Sequence, residues 1–197
     1  MQRRNVIRGA GGLLAASLVS ARAAASGGTE RIISTAYRPA GKGEKTGKGI
    51  GDFDFLAGEW TIRHLRLKDG TKADWQRFDS GATVHKVLGG MGSIEELRKP
   101  DGSYMGMGVR LWLPEQKQWA DHWTSAGNGV VNPPQLGEFI DGEGVFISEE
   151  TVDGTKWLYR GIWDRITPTG CRWHQSSSSD GSKTWEWNWW MEWTRVK

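Results

Sequence analysis

Apolar and polar residues alternate with a period of two through most of the chain after residue 51. The pattern is clearest in residues 104–113, "YMGMGVRLWL", in residues 156–166 and in the closing stretch 183–197. A period of two is typical of β-strands that bury one face. The only indication of a helix is a short turn around residues 52–57. The pattern therefore predicts an all-β domain.

Asp-Gly pairs separate the alternating segments. This dipeptide favours tight hairpins, because both central positions of a type I′ turn need a positive φ. Eight to ten strands joined by such turns, within about 147 residues, predict an antiparallel up-and-down barrel, with a β-sandwich as the alternative. The pairs stand at positions 69–70, 101–102, 141–142, 153–154 and 180–181.

The last strand is unusually rich in tryptophan. With strict alternation, Trp190 is the single tryptophan on one face of this strand, where we expect it to be exposed. We expect the opposite face to form part of the barrel wall, because indole rings of this size favour burial. That face would carry Trp185, Trp187, Trp189, Met191 and Trp193.

The N-terminus resembles an export signal. Arg3 and Arg4 form a twin arginine, a weakly apolar stretch follows, and small residues offer cleavage after Ala23 or Ala25. We therefore predict a twin-arginine signal at 1–25, a flexible leader at 26–50, and one barrel domain at 51–197. The predicted location is periplasmic or secreted. The apolar stretch is shorter than the ~20 residues that span a bilayer, so no stable membrane anchor is expected after cleavage.

Charge argues against a nucleic-acid partner. The whole chain has 26 basic and 23 acidic side chains, but the predicted signal holds four of the arginines and no acid. The mature chain would keep 22 basic and 23 acidic side chains, a net charge of −1. No electrostatic attraction to a phosphate backbone is expected at that charge. Cys171 is the only cysteine, so the chain forms no internal disulfide.

Two motifs at the ends of the domain carry a family resemblance. "FDFLAGEWTI" places Gly58 and Trp60 on the first strand, and "TRVK" places Arg195 on the last. This resembles the calycin arrangement, in which the arginine packs across the indole and closes one barrel end. Residues 52–195 resemble a bacterial family known as domain of unknown function 1579. The resemblance depends on these two motifs and, between them and in the same order, on "VLGGMGSIEE", "LWLPEQKQW" and "GVFISEETVDG". The resemblance implies a lipocalin-like barrel, with Trp60 and Arg195 as structural residues, and implies no reaction.

A ligand site is predicted on two neighbouring strands. Arg110 and Trp112 share a face of one strand, and Asp121 and Trp123 share a face of the next, across the "PEQK" turn. An arginine–carboxylate pair among indoles can hold the polar end of a ligand inside a barrel, and could equally be a surface pair. The first hypothesis is binding of a small, partly apolar or aromatic molecule. Its further wall residues would be Trp163 and Trp187.

Two other functional classes stay open. An enzyme could use Asp121, His122 or His174 as acid–base groups in the same cavity. A carbohydrate-binding module would instead stack sugars on a solvent-facing row of indoles. No metal motif is present in the sequence and no cofactor is expected, with haem bound by His174 from inside the barrel as a minor alternative. The stretch 178–185 resembles a single sialidase Asp-box, for which a structural hairpin is the simpler explanation.

Overall fold

Ten antiparallel strands form a closed barrel in the computed structural model, which describes residues 46–196. Each strand pairs with the next in sequence, and the last pairs with the first. This confirms the predicted all-β up-and-down barrel and excludes the sandwich, since a sandwich leaves two separate sheets. The predicted signal and most of the leader, residues 1–45, lie outside the described residues.

The strands are long for the size of the domain, and short 3-10 helices occur at two places, Asp54–Leu56 and Leu88–Gly90. The first of these lies within the turn predicted around residues 52–57. The strands are β1 Gly58–Leu67, β2 Trp75–Val87, β3 Gly92–Arg98, β4 Tyr104–Leu113, β5 Gln118–Ser125, β6 Gln135–Ile140, β7 Glu143–Val152, β8 Thr155–Asp164, β9 Gly170–Ser178 and β10 Glu186–Arg195.

The Asp-Gly pairs behave in two ways. Asp141 and Asp153 have φ values of 52° and 50°, and the glycine after each is also positive. These two pairs close the β6–β7 and β7–β8 hairpins with the backbone expected of a type I′ turn. At the other three pairs only the glycine has a positive φ, so the same dipeptide serves longer connections there.

Glycines on the inner face let aromatic rings lie flat against the barrel wall. A Cβ atom on Gly106 would lie 2.4 Å from the ring of Trp123, and one on Gly137 would lie 2.4 Å from the ring of Phe146. These glycines therefore have no room for a side chain, and the rings occupy the space beside their backbone. At these two positions an aromatic ring therefore lies close to the backbone of the wall.

One end of the barrel is closed by Trp60 and Arg195, which are cross-strand partners. The Arg195 guanidinium lies 4.2 Å from the centroid of the Trp60 ring and donates hydrogen bonds of 2.6 Å to the carbonyls of Ala57 and Phe55. Gly58 has a φ of +124°, and a Cβ there would lie 2.7 Å from Arg195 Nη1. Only glycine fits beside this arginine, which explains the Gly-x-Trp spacing.

The last residues of the predicted leader are attached to the same end. The amides of Thr46 and Gly47 donate to the carbonyl of Phe139, both at 3.1 Å. The amides of Lys48 and Gly49 donate to the Asp52 carboxylate at 2.8 and 2.9 Å. Residues 46–50, which fall within the predicted leader, are thus held against the barrel.

A bulge in β10 changes which tryptophans face inward. The pairing with β9 shifts register between Trp187 and Trp189. Trp189 and Trp193 pack with the interior core, whereas Trp187 lies on the outer face beside His174, at a ring-centroid distance of 4.6 Å. The expectation that Trp187 lines the interior is therefore wrong, because strict alternation does not hold across a bulge. Trp190 is on the outer face as expected, but it is half-buried instead of exposed, because Arg172 and His174 pack against its ring.

Candidate functional site

A buried charged group lies inside the barrel on three consecutive strands. Arg110 on β4 lies between Glu95 on β3 and Asp121 on β5, and all three side chains are at most 14% exposed. Arg110 Nη2 donates to Glu95 Oε2 at 2.6 Å, and Arg110 Nε lies 3.4 Å from Asp121 Oδ2. We call Glu95, Arg110 and Asp121 the interior charged group. The structure thus brings together the predicted Arg110 and Asp121 and adds a second carboxylate.

Glu95 was missed in the sequence, although a signal was present. Glu95 and Glu96 are neighbours on a predicted strand, and neighbouring strand residues face opposite sides of a sheet. One of the two therefore has to face the interior. Alternation with Leu97, which is fully buried, identifies Glu95 as that residue.

Aromatic rings surround the interior charged group. The Arg110 guanidinium lies 5.3 Å from the ring centroid of Phe53 and 5.1 Å from that of Trp163, within the range of cation–π attraction. The rings of Trp163 and Trp193 are 5.4 Å apart. A guanidinium with planar rings on several sides forms a site with both apolar surface and hydrogen-bond donors.

Several donors in this region have no acceptor. Among the described residues, none accepts a hydrogen bond from Arg110 Nη1 or from the indole nitrogens of Trp163 and Trp193, and all three are inaccessible to solvent. The hydroxyl of Ser93, the neighbour of Arg110 across the β3–β4 pairing, also lacks a partner. Buried polar groups are nearly always hydrogen-bonded, so a cluster of unpaired donors needs a physical reason.

Burial controls the ionisation of the interior charged group. Burial raises the pKa of Asp121, and the attraction of Arg110 only partly offsets it. Burial alone would lower the pKa of Arg110, but the carboxylates of Asp121 and Glu95 outweigh it and raise that pKa. Arg110 consequently stays charged, and Asp121 takes up a proton more readily than an exposed aspartate.

Two other predicted ligand residues lie on the inner wall, away from each other. Trp112 packs at the closed end, 5.7 Å from the ring of Trp119 and against the backbone of Gly49. Trp123 lies over Gly106 and is half-buried. Trp163 is 1% exposed and is the predicted wall residue that contacts Arg110 directly.

A second arginine–carboxylate group lies on the outer face of β8, β9 and β10. Both carboxylate oxygens of Asp164 accept hydrogen bonds from Arg172, and His174 Nε2 lies 3.1 Å from Oδ2. Arg172 and His174 both lie against the ring of Trp190. We call Asp164, Arg172, His174 and Trp190 the outer stack. His174 thus faces away from the interior, whereas the haem alternative would need its side chain inside the barrel.

One imidazole lies in a hydrogen-bonded chain that fixes its protons. Trp189 Nε1 lies 3.1 Å from His64 Nδ1, and His64 Nε2 lies 2.6 Å from Ser80 Oγ. An indole nitrogen only donates, so Nδ1 is the acceptor and Nε2 carries the proton. Burial, helped by the charge of Arg66, lowers the pKa of His64 to about 4, which keeps it neutral. His64 therefore donates to Ser80 and is not the base that would activate this hydroxyl.

Other reactive chemistry is not indicated in the described residues. Burial raises the pKa of Cys171 to about 12, so its thiol stays protonated. His122 lies on the opposite face from Asp121 and contacts the carbonyl of Asn132 at 3.1 Å. Residues 46–196 contain no group of three or more potential metal ligands. They also contain no helix long and apolar enough to cross a bilayer.

Two clefts lie on the barrel surface. The first has a volume of about 540 Å³ and lies beside β1, β2 and the β3–β4 turn. Ser80 and Ile62 contribute to its lining, with charged residues around them. The second, of about 230 Å³, lies beside Tyr104 and the end of β5. Neither lining includes a member of the interior charged group.

Comparisons with known proteins do not assign the chain. No family model matches it, and no curated protein matches it. The resemblance to the domain of unknown function 1579 therefore stays a prediction.

Proposed function

We propose that this barrel binds a small, uncharged and partly aromatic molecule that carries a hydrogen-bond acceptor, such as a carbonyl oxygen, beside Arg110. The single observation that supports this most is the set of buried, unpaired donors on Arg110, Trp163 and Trp193. An acceptor placed among them would satisfy groups whose isolation costs about 1–3 kcal/mol each. A ligand thus compensates an unfavourable feature of the fold.

The charge of the site favours an uncharged ligand. Arg110 is already neutralised by Glu95 and Asp121, and two carboxylates beside one guanidinium disfavour a further anion. Planar rings around the guanidinium favour a flat, apolar body. The two requirements together describe an aromatic ketone, amide or similar heterocycle.

Barrels with this many strands can hold a small ligand. Eight strands already enclose either a packed core or one small ligand, and barrel diameter increases with strand number. Ten strands close this barrel, and rings lie against the wall at Gly106 and Gly137.

Residues 46–196 offer no specific observation that favours the other two classes of function. The histidine nearest a hydroxyl, His64, is oriented as a donor to Ser80, which is wrong for a nucleophile–base pair. A stacked sugar would need the ring faces of Trp187 and Trp190 on the outer face. Those ring faces are already in contact with the side chains of Arg160, Arg172 and His174. Binding in the interior is the function that the geometry supports best.

Fluorescence titration with prodan tests the proposal. Prodan is an uncharged naphthalene with one ketone oxygen, and its emission shifts to the blue in an apolar environment. We expect saturable binding and quenching of indole emission. Trp193→Phe keeps an aromatic ring but removes one unpaired donor, so it should weaken binding about fivefold, the equivalent of one hydrogen bond.

Trp60→Phe is the matched control. Its indole donates to the carbonyl of Leu56 at 2.7 Å, at the closed end, so its loss should leave the prodan dissociation constant unchanged. Absence of saturable binding, or equal weakening by both variants, would overturn the proposal.

Export is a separate proposal. The twin arginine at Arg3 and Arg4 and the small residues near Ala23 and Ala25 support export to the periplasm or beyond, where the ligand would be met. N-terminal sequencing of the mature protein from a periplasmic extract tests this. A mature N-terminus at Met1 would contradict it.

A further inference from the structure

We propose that residues 31–38 of this chain, "RIISTAYR", pack across the outer face of strands β6, β7 and β8. The segment follows the predicted signal, so the mature protein would retain it. The inference concerns the outside of the barrel and is independent of the proposed interior ligand. The surface to be covered is called the outer patch, and it consists of Glu138, Val145, Ile147 and Ile162.

The outer patch is a continuous row on three strands. Phe146 belongs to the interior core, so its neighbours Val145 and Ile147 face outward, because successive strand residues point to opposite faces. Val145 is the direct cross-strand partner of Glu138 on β6 and of Ile162 on β7's other neighbour, β8. Cross-strand partners share a face, so all four side chains lie together on the outside.

The outer patch is shielded from solvent although it faces outward. Val145 and Ile147 are 0% exposed, and Ile162 is 3% exposed. On β4, the outward aliphatic side chains of Val109 and Leu111 are only half-buried. Neighbouring side chains of the sheet thus leave outward aliphatic residues partly exposed in this barrel. The complete burial of the outer patch therefore indicates a cover.

Within residues 46–196, no helix or strand lies across the outer patch. The strands contact chiefly their neighbours in the barrel, and the two 3-10 helices pack with β2 and β3. The ring of Trp185 lies over Arg160, which is beside the patch. We therefore expect the cover of Val145 and Ile162 to come from outside residues 46–196.

Thr46 fixes the chain at the border of the outer patch. Its amide donates to the carbonyl of Phe139 at 3.1 Å, and its hydroxyl accepts from the amide of Gly142 at 2.8 Å. Both partners lie at the β6–β7 turn, where the row begins. Residues 39–45 can extend about 25 Å, and the row crosses two strand spacings, about 10 Å. The preceding segment can therefore reach every member of the patch.

The composition of residues 31–38 is complementary to the outer patch. The segment has two isoleucines and a tyrosine between an arginine at each end. Its apolar side chains match Val145, Ile147 and Ile162, whose burial is favourable in proportion to the apolar area removed from water. Its arginines match the charge of Glu138, which is 9% exposed. A segment with this chemistry, starting beside the patch, is the occupant that we propose.

Photo-crosslinking in the full-length chain tests the placement. Benzoylphenylalanine in place of Tyr37 keeps an aromatic side chain and, on irradiation, reacts with nearby C–H bonds. We expect a crosslink within one chain, mapped by mass spectrometry to residues 135–164. The same label in place of Tyr104, which is 56% exposed and outside the patch, is the control and should give no crosslink to those residues.

A crosslink between two chains would identify a second copy as the occupant and would overturn the proposal. Absence of any crosslink from position 37 to residues 135–164 would overturn it as well.

Thermal unfolding of a double variant tests the stabilising role of the segment. Ile32→Asp/Ile33→Asp should uncover the outer patch and lower the unfolding midpoint by about 5 °C, because apolar surface returns to water. Val130→Asp/Val131→Asp makes the same change at residues that are 50% and 58% exposed, and should shift the midpoint by less than about 2 °C. Equal shifts in the two double variants would contradict packing of residues 31–38 on the barrel.

Discussion

Two arginine–carboxylate groups in this barrel have nearly the same composition and opposite surroundings. Inside, Arg110 lies 5.1 Å from the ring centroid of Trp163 between two acids. Outside, Arg172 lies 5.0 Å from the ring centroid of Trp190 and shares one acid, Asp164, with a histidine. Residue types alone therefore do not distinguish a group with all its hydrogen bonds made from one with unpaired donors beside it.

The difference lies in which polar atoms have partners. In the outer stack, both oxygens of Asp164 are hydrogen-bonded. Burial raises the pKa of Asp164, but the hydrogen bonds from His174 and Arg172 outweigh it and hold that pKa at about 2. In the interior, burial prevails and the pKa of Asp121 is raised. A buried group whose polar atoms all have hydrogen-bond partners stabilises the fold. A buried group with unpaired donors beside it can still accept a hydrogen-bonding ligand.

The largest difference between the two groups should appear in the free energy of unfolding when the arginine of each is replaced. Arg110→Met leaves two buried carboxylates unpaired and should lower the free energy of unfolding by about 4 kcal/mol. Arg172→Met leaves Asp164 with His174 and should cost about 2 kcal/mol, the value of hydrogen bonds to a charged group. Urea denaturation of both variants measures this.

A triple variant keeps that test informative if Arg110→Met does not fold. Glu95→Gln/Arg110→Met/Asp121→Asn removes the unpaired charges together and should recover much of the lost stability. A triple variant as unstable as Arg110→Met would contradict the account of the interior charged group, as would equal costs for the two single variants.

Acid should weaken the fold through His64, a buried group that stays neutral. Its pKa is about 4 in the fold, below its ordinary value of 6.5. Between pH 6.5 and pH 4 the unfolded chain takes up a proton that the folded chain does not. The free energy of unfolding should therefore fall by about 3 kcal/mol across this window, with no contribution from His64 above it.

His64→Gln should flatten that pH dependence, because an amide offers the same acceptor and donor without titrating. His85→Gln, which makes the same substitution at an exposed histidine, is the matched control. Denaturation midpoints at pH 7, 5.5 and 4 give the comparison. An unaltered slope in His64→Gln would show that other groups cause the acid sensitivity.

The two aspartates should respond differently to loss of charge. Asp164→Asn should cost about 2 kcal/mol at pH 7, since the depressed pKa stabilises the fold above pH 3.8 and that stability is lost as the pH falls toward 2. Asp121→Asn should change stability by less than about 1 kcal/mol, because burial already disfavours its charge. Thermal unfolding at pH 7 tests both, and a larger cost for Asp121→Asn would reverse the assignment.

The smallest expected effect concerns two indole nitrogens. Trp60→Phe removes a hydrogen bond to Leu56 and should cost about 1 kcal/mol more than Trp193→Phe, whose donor is unpaired in the fold. Both substitutions remove a similar ring area, so their difference reports the polar contacts of Trp60, which are the hydrogen bond and the cation–π contact with Arg195. Equal costs would mean that the Trp193 nitrogen has a partner in solution.

Much of the fold could be predicted from the sequence, because strand alternation and hairpin turns are local properties. Asp141 and Asp153 take the predicted turn backbone. Register within a hairpin then places Arg110 opposite Asp121, as the "PEQK" turn indicated. These features depend on residues close together in the chain.

Features that depend on distant packing were harder to predict. The bulge between Trp187 and Trp189 has no local signature, and it turned Trp187 outward. The outward position of His174 follows from its pairing with Trp190, which also depends on that register. Unpaired donors, such as the indole of Trp193, become visible only when all neighbours are placed.

If the barrel binds a ligand as proposed, the unpaired donors of Trp163 and Trp193 should receive an acceptor from it. Two-dimensional ¹H–¹⁵N NMR of the indole N–H groups, titrated with prodan, tests this most directly, because each of the 13 tryptophans gives its own signal. The account predicts downfield shifts for Trp163 and Trp193 on saturation, and no shift for Trp60, whose donor is already bonded. Saturation without a shift at Trp163 and Trp193 would contradict it.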